Sequence, residues 1–404
     1  MSDNIPPLDI QIEILTRLPV KSLIQFRSVS KTWKSIIDTS DFIAAHQHHT
    51  HHHRLLVYCN RPAEDDPKYV SFADNHSFPQ HKVSLTHVPL LVDKLKYLSV
   101  DNIVGSSRGL FCLYGYAPNK PAGGSIPIAV IWNPCIRRVV PVLVPKAPSK
   151  KIFSKVLGFG VCPVTNDPKI IKIRYIRYVH DVERISHIPS QVEVFTLSTG
   201  VWRKPYNNLP PKSVLLYKFA VDVDGFLYWL AEDKIVMDDG GYARSNVIIS
   251  FDLTSEEFRQ VNLPHSLAHR CYNNNISIFK LKESLVLSQV DNHVNNVWLM
   301  EGTGLAKSFS KLYTVNVDAW VRGFRRSGEP IIEVSELMSD KVHWVFKLAA
   351  YDPYSKCINC FWTSGRSATF KVYPYMETLL LLDQTNLAVY NEMESIRFID
   401  DLVL

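Results

Sequence analysis

A short motif that returns at loose intervals constrains this 404-residue chain more than any other feature. Ala129 to Val140 contains IWNP and then CIRRVV, Val192 to Trp202 reads VEVFTLSTGVW, and Val247 to Phe258 reads VIISFDLTSEEF. Asn296 to Met300 reads NVWLM, and Leu348 to Cys357 reads LAAYDPYSKC. Each is a short apolar strand ending near an aromatic and followed by a polar turn. With Trp132, Phe195, Phe251, Trp298 and Tyr351 as markers, the intervals are 63, 56, 47 and 53 residues. A spacing of about 40 to 50 residues or somewhat more, holding about four short strands, is what a propeller blade needs, because one blade cannot bury both faces alone. Helix-length amphipathic stretches are absent from this part, so residues 54–404 are expected to form an all-β domain.

Five markers give five blades. A sixth is expected from Phe370 to Tyr373 and Leu379 to Leu382, completed by Leu55 to Tyr58 and Tyr69 to Phe72, so that the two ends close the ring. Five or seven blades, or a two-sheet β-sandwich, are the alternatives. Closure would remove the exposed edges that so many short strands otherwise present. Trp202, Phe226, Trp229, Phe251 and Trp298 are expected as packing residues between blades. In DNIVGSSRGLFCLYG, Gly105 and Gly109 bracket a turn; with no GxxxxGK and no following helix it reads as a hairpin and not a phosphate loop.

The first tenth of the chain has a different period. In Pro7 to Phe42, Asp9 can cap a helix in which Ile10, Ile14 and Leu18 recur at four-residue spacing, with Pro19 setting its end. A second helix is expected around Ser22 to Arg27, and Ser30 can cap a third that carries Trp33, Ile36 and Ile37. Three helices this small carry more aliphatic side chains than they can hide, so part of the surface should meet a partner. Residues 46–53, HQHHTHHH, read as a polar junction; they lack the Cys partners and second shell of a tight metal site. The expected organisation is therefore α+β and multidomain: residues 1–45 helical, 46–53 a His-rich junction, and 54–404 a β-propeller-like domain.

Chemistry finds little support. Net charge is +6, but the basic residues are dispersed, and Lys169 to Arg177 (KIIKIRYIR) reads as a half-buried strand with its charges on one face, so nucleic-acid binding is not expected. Glu232, Asp233, Asp238 and Asp239, read as part of a loop, lack an EF-hand register. Cys357 and Cys360 form a lone CxxC with only His343 nearby. No GxSxG is present and no cysteine has a clearly paired histidine. Neither cofactor nor metal is expected. Seven cysteines, an odd number, suit a reducing compartment, residues 1–5 are polar and resemble no signal peptide, and the apolar run at Thr378 to Leu382 is too short to span a membrane; cytoplasm, nucleus or both are expected.

The helical stretch resembles an F-box of the large plant families that carry a C-terminal F-box-associated or kelch-like domain. The matching positions are Pro7, Asp9, Glu13-Ile14-Leu15, Arg17-Leu18-Pro19, Val20-Lys21-Ser22-Leu23, Phe26-Arg27, Val29-Ser30-Lys31, Trp33, Ile37 and Phe42. GSSRGLFCL, IWNPCIRR, LGFG, VEVFTLSTGVWR, VDVDGFLYWL, IISFDLTSEEF and NNVWLM are similar to that family's C-terminal signatures over about residues 101–315. The resemblance implies a non-catalytic substrate-recognition subunit of a Skp-cullin-F-box ubiquitin ligase. Its hook would bind a Skp-type adaptor, and so the cullin-RING core, through Pro7, Leu8, Ile14, Leu15, Leu18, Pro19, Leu23, Val29 and Trp33. Two positions depart from the family: Pro6 replaces the usual Leu, and Gln11 replaces the usual aliphatic and would place an amide near the adaptor. The resemblance carries over no target-reading residue; loop residues Lys212, Asp238 and Arg325 are candidates for binding a protein target. The alternative is an interaction protein that assembles no ligase.

Overall fold

The computed structural model describes residues 6–49, 52–59, 69–85, 103–118, 125–146, 153–176, 191–205, 214–236, 242–268, 275–302, 307–337, 344–364 and 370–382. The chain begins with four helices, α1 (Leu8–Thr16), α2 (Val20–Val29), α3 (Lys31–Ile37) and α4 (Ser40–His49). Ser30 caps α3 as expected, its Oγ accepting from the Trp33 N–H at 3.3 Å. Asp9 does not cap α1: it lies inside the first turn, and the N-cap position falls to Pro7, whose side chain has no hydrogen-bonding group. Pro19 occupies the N-cap of α2, which starts earlier and ends later than its periodicity suggests.

α4 is the helix that the sequence reading lacks. It runs into the His-rich segment, with the Thr39 hydroxyl accepting from the Phe42 N–H at 3.2 Å. The junction is thus partly helical, and not wholly polar: His46 is buried and its Nε2 donates to the Leu18 carbonyl at 2.9 Å. Burial lowers the His46 pKa, outweighing that hydrogen bond, so the ring is held neutral. Arg27 fastens α2 to the end of α3 by a two-point contact with Asp38, at 2.5 and 2.8 Å.

Six four-stranded antiparallel sheets follow. Blade I holds β1 (His53–Cys59), β2 (Tyr69–Ala73) and β3 (Lys82–Ser84); blade II holds β4 (Ile103–Ser107), β5 (Leu110–Pro118), β6 (Ser125–Asn133) and β7 (Arg138–Leu143). Blade III comprises β8 (Phe153–Val161), β9 (Pro168–Ile176), β10 (Gln191–Thr196) and β11 (Val201–Arg203). Blade IV comprises β12 (Val214–Val223), β13 (Phe226–Val236), β14 (Tyr242–Asp252) and β15 (Phe258–Asn262), after which a single helical turn, α5 (His265–Ala268), leads onward. Blade V holds β16 (Asn275–Leu281), β17 (Ser284–Asp291), β18 (Val294–Glu301) and β19 (Ser308–Val315); blade VI holds β20 (Trp320–Phe324), β21 (Pro330–Leu337), β22 (Trp344–Tyr351) and β23 (Ile358–Ser364). The last strand, β24 (Phe370–Met376), becomes the innermost strand of blade I by pairing with β1, Leu56 opposite Tyr373.

Successive inner strands β4, β8, β12, β16, β20 and β24 touch around a ring, so the six-bladed reading holds and the sandwich does not. All five marker aromatics fall on the third strand of their blade, because that strand ends at the turn into the outer edge strand. Gly109 completes the β4–β5 turn with Arg108, at φ +84°; a Cβ there would come within 2.3 Å of the Met376 carbonyl. Gly105 instead lies within β4.

One element of the closure is misplaced by the sequence reading. Leu379 to Leu382 is no strand; it is a buried turn beyond β24, and the strand that closes blade I is Phe370–Met376. The turn is fixed by Asn133, fully buried at the end of β6, whose Nδ2 donates to the carbonyls of Thr378 (3.0 Å) and Leu380 (2.8 Å) while Oδ1 accepts from the Cys135 N–H at 2.9 Å. The four leucines join Leu15, Val20, Leu23, Ile37, Phe42 and Ile43 of the hook and Cys112, Ile131 and Val142 of blade II in one apolar cluster. The hook is therefore packed onto the propeller through the chain that follows its last strand.

Trp229 and Phe251 are fully buried between blades III and IV, where a Cβ on Gly158 of β8 would stand 2.3 Å from the Trp229 ring. Trp202, Phe226 and Trp298 are only half-buried. The Trp202 Nε1 donates to the Leu143 carbonyl at 2.8 Å, which ties blade III to blade II.

The charges of β9 also differ from expectation. Residues three apart in a strand face opposite ways, so Lys169 points to blade IV and Lys172 toward blade II, and both are buried. Lys169 donates to the Leu253 carbonyl (2.7 Å) and Glu256 (2.8 Å); Lys172 donates to the Pro145 carbonyl (2.8 Å) and Glu193 (2.7 Å).

Candidate functional site

Two surfaces stand out, one on the hook and one on the propeller axis. On the hook, docking onto the propeller sorts the apolar residues. Leu15 and Leu23 are buried and face inward, which removes them from any direct contact and makes them support. Leu18 and Trp33 are half-buried against the same cluster, and Pro19 is half-buried at the start of α2. Trp33 also packs on Phe26 with ring centroids 5.2 Å apart. Pro7 is exposed, and Leu8, Ile14 and Val29 keep 47, 52 and 75 % of their surface in solvent. Ile10, absent from the sequence candidates, is 49 % exposed and one turn from Ile14 on α1. Its four-residue spacing from Ile14 was the available signal.

Gln11 does not present its amide outward. Its Oε1 accepts from the Trp33 Nε1 at 2.9 Å and its Nε2 donates to the Pro6 carbonyl at 2.8 Å. The polar departure is thus used within the hook, where it pins the N-terminal end of α1 to α3.

Of the three target-binding candidates, Lys212 and Asp238 lie outside the described residues. Arg325 is committed to holding loops together: it meets Asp74 at 3.1 Å, pairs with Glu329, donates to the Asn75 carbonyl at 2.9 Å, and lies over the Phe78 ring, 4.3 Å from its centroid. It clamps blade VI to blade I and also lines the first axial chamber.

The axis of the ring holds two adjacent chambers of about 280 and 310 Å³. The first opens beside α4, where Gln47 and His48 form part of its rim, and is ringed by inner-strand turns carrying Arg108, Lys282 and Arg326. The second is walled by Tyr217, Phe219, Phe279 and Tyr373. Ser106, Asp222, Lys280 and Pro374 line both and form the waist between them. Burial pushes the Asp222 carboxyl up to about 6, against the pull of Lys280, the Ser107 hydroxyl and Arg108.

No group of three or more His, Cys, Asp or Glu that could hold a metal ion occurs among the described residues. Glu232 and Asp233 belong to β13 and not to a loop, with Glu232 paired across the strand to Arg244 at 2.9 Å; Asp239 and His343 lie outside the described residues. Cys360 sits on β23 and Cys357 in the turn before it, both exposed and unbridged.

Comparison with known proteins agrees with this division of the chain. Residues 7–44 match the F-box domain, and residues 126–371 match the F-box associated beta propeller domain. The chain belongs to the F-box proteins that carry this propeller. Among its relatives, F-box protein CPR1 of Arabidopsis thaliana is 25% identical over 333 residues, covering 79% of this chain and 75% of that protein. A second F-box protein of the same plant is 26% identical over 382 residues, 84% of each chain. Among solved structures, the β-propeller domain of the Trilobed protease from Pyrococcus furiosus shows 14% identity and a TM-score of 0.34, covering 66% of this chain and 70% of that one, too loose a likeness to carry detail across. The domain architecture is that of the non-catalytic F-box substrate adaptors of Skp-cullin-F-box complexes.

Proposed function

We propose that this chain is a substrate-recognition subunit of a Skp-cullin-F-box ubiquitin ligase, working in the cytoplasm, the nucleus or both. Pro7, Leu8, Ile10, Ile14 and Val29 make the direct contact with a Skp-type adaptor, and Leu15, Leu18, Pro19, Leu23 and Trp33 hold that surface in shape. The observation that supports this reading is the division of the hook's apolar residues. Leu15 and Leu23 are buried, and Leu18 and Trp33 half-buried, in the cluster that the hook shares with blade II and the chain after β24, and Leu8, Ile10, Ile14 and Val29 stay in water at a cost that a partner would relieve. A protein target bound by the propeller is then held near the conjugating enzyme on the cullin-RING core, which turns an encounter into a local event. No residue of this chain need touch the reacting thioester.

Replacing Leu8 and Ile14 together by Asp tests it, because both are exposed and neither supports the core. The double variant is expected to lose at least about 30-fold in adaptor affinity, about 2 kcal/mol, with its melting temperature unchanged. A wild-type chain that captures no adaptor at micromolar concentration would make it an interaction protein outside any ligase.

A further inference from the structure

The innermost strand of blade VI is interrupted by a bulge. Val321 lies opposite Ile332 and Gly323 opposite Ile331, so Arg322 is the extra residue of β20, and a bulge of this kind re-aims a side chain. The Arg322 Nε and Nη2 donate to the two oxygens of Glu333 at 3.1 and 3.0 Å, and the buried Glu333 also accepts from the Phe370 N–H at 2.9 Å. Nη1 has no hydrogen bond among the described residues, and the Arg322 side chain keeps 26 % of its surface in solvent. The guanidinium is therefore fixed along one edge and open along another. Arg322 lines the second axial chamber and lies over the Trp320 ring, 5.9 Å from its centroid. That chamber is built from the first residues of the inner strands, whereas the first chamber, beside α4, is built from their last residues and turns, so the second lies at the end of the ring away from α4. At this end Trp320 and Tyr217 keep 47 and 43 % of their surface in solvent. Leu337 and Trp344, opposite each other across β21 and β22 and on the same face of the blade as Trp320, are exposed as well.

We infer that this end of the ring takes an acidic segment of a protein target, with an apolar side chain in the second chamber and a neighbouring carboxylate bound by Arg322 Nη1. The inference rests on the reading of the propeller as the target-binding domain and supplies the chemistry of what it binds. Charge selects the acidic class. Among the described residues Lys280, Arg322 and Lys371 line the chamber against the one carboxylate of Asp222. The Lys280 side chain is 27 % exposed, as open as that of Arg322, while Asp222 is buried, so an arriving carboxylate meets accessible positive charge and little accessible negative charge. Tyr217, Phe219, Phe279 and Tyr373 wall the chamber and suit an apolar side chain. The exposed apolar surface continues past the chamber along blade VI to Leu337 and Trp344, farther than a free aromatic acid would cover, which favours a chain. Occupation of this end leaves the hook open to its adaptor.

The experiment titrates the full chain with the peptide acetyl-Gly-Gly-Glu-Phe-Glu-Gly-Gly-amide and with versions carrying Gln or Lys in place of both Glu, or Ala in place of Phe. Phenylacetate serves as the free aromatic acid, and binding is read by calorimetry and ligand-observed NMR. The Glu peptide is expected to bind at least about tenfold more tightly than the Gln peptide, a comparison that depends on no variant folding. That preference should fall to within about twofold in Arg322→Lys, which keeps a cation for Glu333 but has no second pair of donors to offer, with folding checked by circular dichroism. Trp320→Ala should weaken the Glu and Gln peptides by the same factor, and Ala in place of Phe should weaken binding to the wild type. The Leu8 and Ile14 double variant should bind the Glu peptide as the wild type does, so a failure of adaptor capture and a failure of this site are read separately. Equal binding of the Glu and Gln peptides, a preference that survives in Arg322→Lys, or tightest binding of the Lys peptide would each overturn the inference. So would phenylacetate binding as tightly as the Glu peptide, which would make the chamber a small-molecule site, or no binding of any probe at millimolar concentration.

Discussion

Glu256 and Asp222 are both buried carboxylates of blade IV, and they sit in opposite circumstances. Glu256, at the seam with blade III, receives Lys169 at 2.8 Å and a two-point contact from Arg203. Burial alone would raise its pKa, but the bonds from Arg203 and Lys169 outweigh that and hold it below the ordinary carboxylate value. Asp222, on the axis, has burial as its dominant influence and an oxygen with no donor. The difference separates a charge that the fold uses from a charge that the fold tolerates. At the seam the chain itself supplies two cations to the buried carboxylate, whereas on the axis one carboxylate oxygen is left without a donor among the described residues.

Removing the seam carboxylate should have the largest effect. Glu256→Ala strands the buried Lys169 ammonium with one carbonyl and is expected to cost about 3 kcal/mol in denaturant unfolding. Asp222→Asn should act in the opposite direction. The folded-state pKa of Asp222 lies above its ordinary 3.8, so stability is lost progressively as pH rises above 3.8, and the loss is complete once pH exceeds about 6. The Asn variant should gain up to about 3 kcal/mol at pH 7.5, and the gain should vanish as pH falls toward 4. Glu256 has the reverse sign: its contribution is full above the ordinary carboxylate range and is lost on acidification, so the Glu256→Ala deficit should shrink in acid. Unfolding curves for the two variants at pH 7.5 and 4.5 therefore cross the wild type in different ways, and parallel behaviour would erase the distinction.

Lys172→Met sharpens the comparison with the smallest change. Its partner Glu193 is partly exposed and can take up water when the ammonium is gone, so stability should stay within about 1 kcal/mol of wild type. A loss as large as that of Glu256→Ala would mean that the second β9 lysine also holds a seam shut.

The blades were readable because a third strand ends in an aromatic before a polar turn, a local pattern independent of its neighbours. Leu379 to Leu382 was not readable, since four leucines in a row give no period by which to tell a strand from a buried turn. α4 was hidden by its histidines, of which His46 alone is buried, bonded to the Leu18 carbonyl. The F-box resemblance located the adaptor surface, but which of its residues face outward is decided by a cluster supplied from more than 300 positions away. Asp222 lies in VDVDGF, an ordinary alternating strand entering a turn; nothing in that alternation distinguishes a channel from open solvent. Arg325 was chosen as a loop cation, and its partner Asp74 comes from a blade at the other end of the chain.

The bonds from Asn133 to the chain beyond β24 set an order of events during synthesis. The hook is made first, yet its docking leucines at Leu379 to Leu382 follow His49 by 330 residues. At about 5 to 20 residues per second, roughly 15 to 70 seconds separate the two. During that interval the buried faces of α1 to α4 have no seat, and Leu15, Leu23 and Phe42 are open to chaperones or to the adaptor itself. The hook becomes a fixed part of the molecule only when the ring has shut, so a chain stalled before residue 379 carries an adaptor-binding module with no defined orientation toward any target.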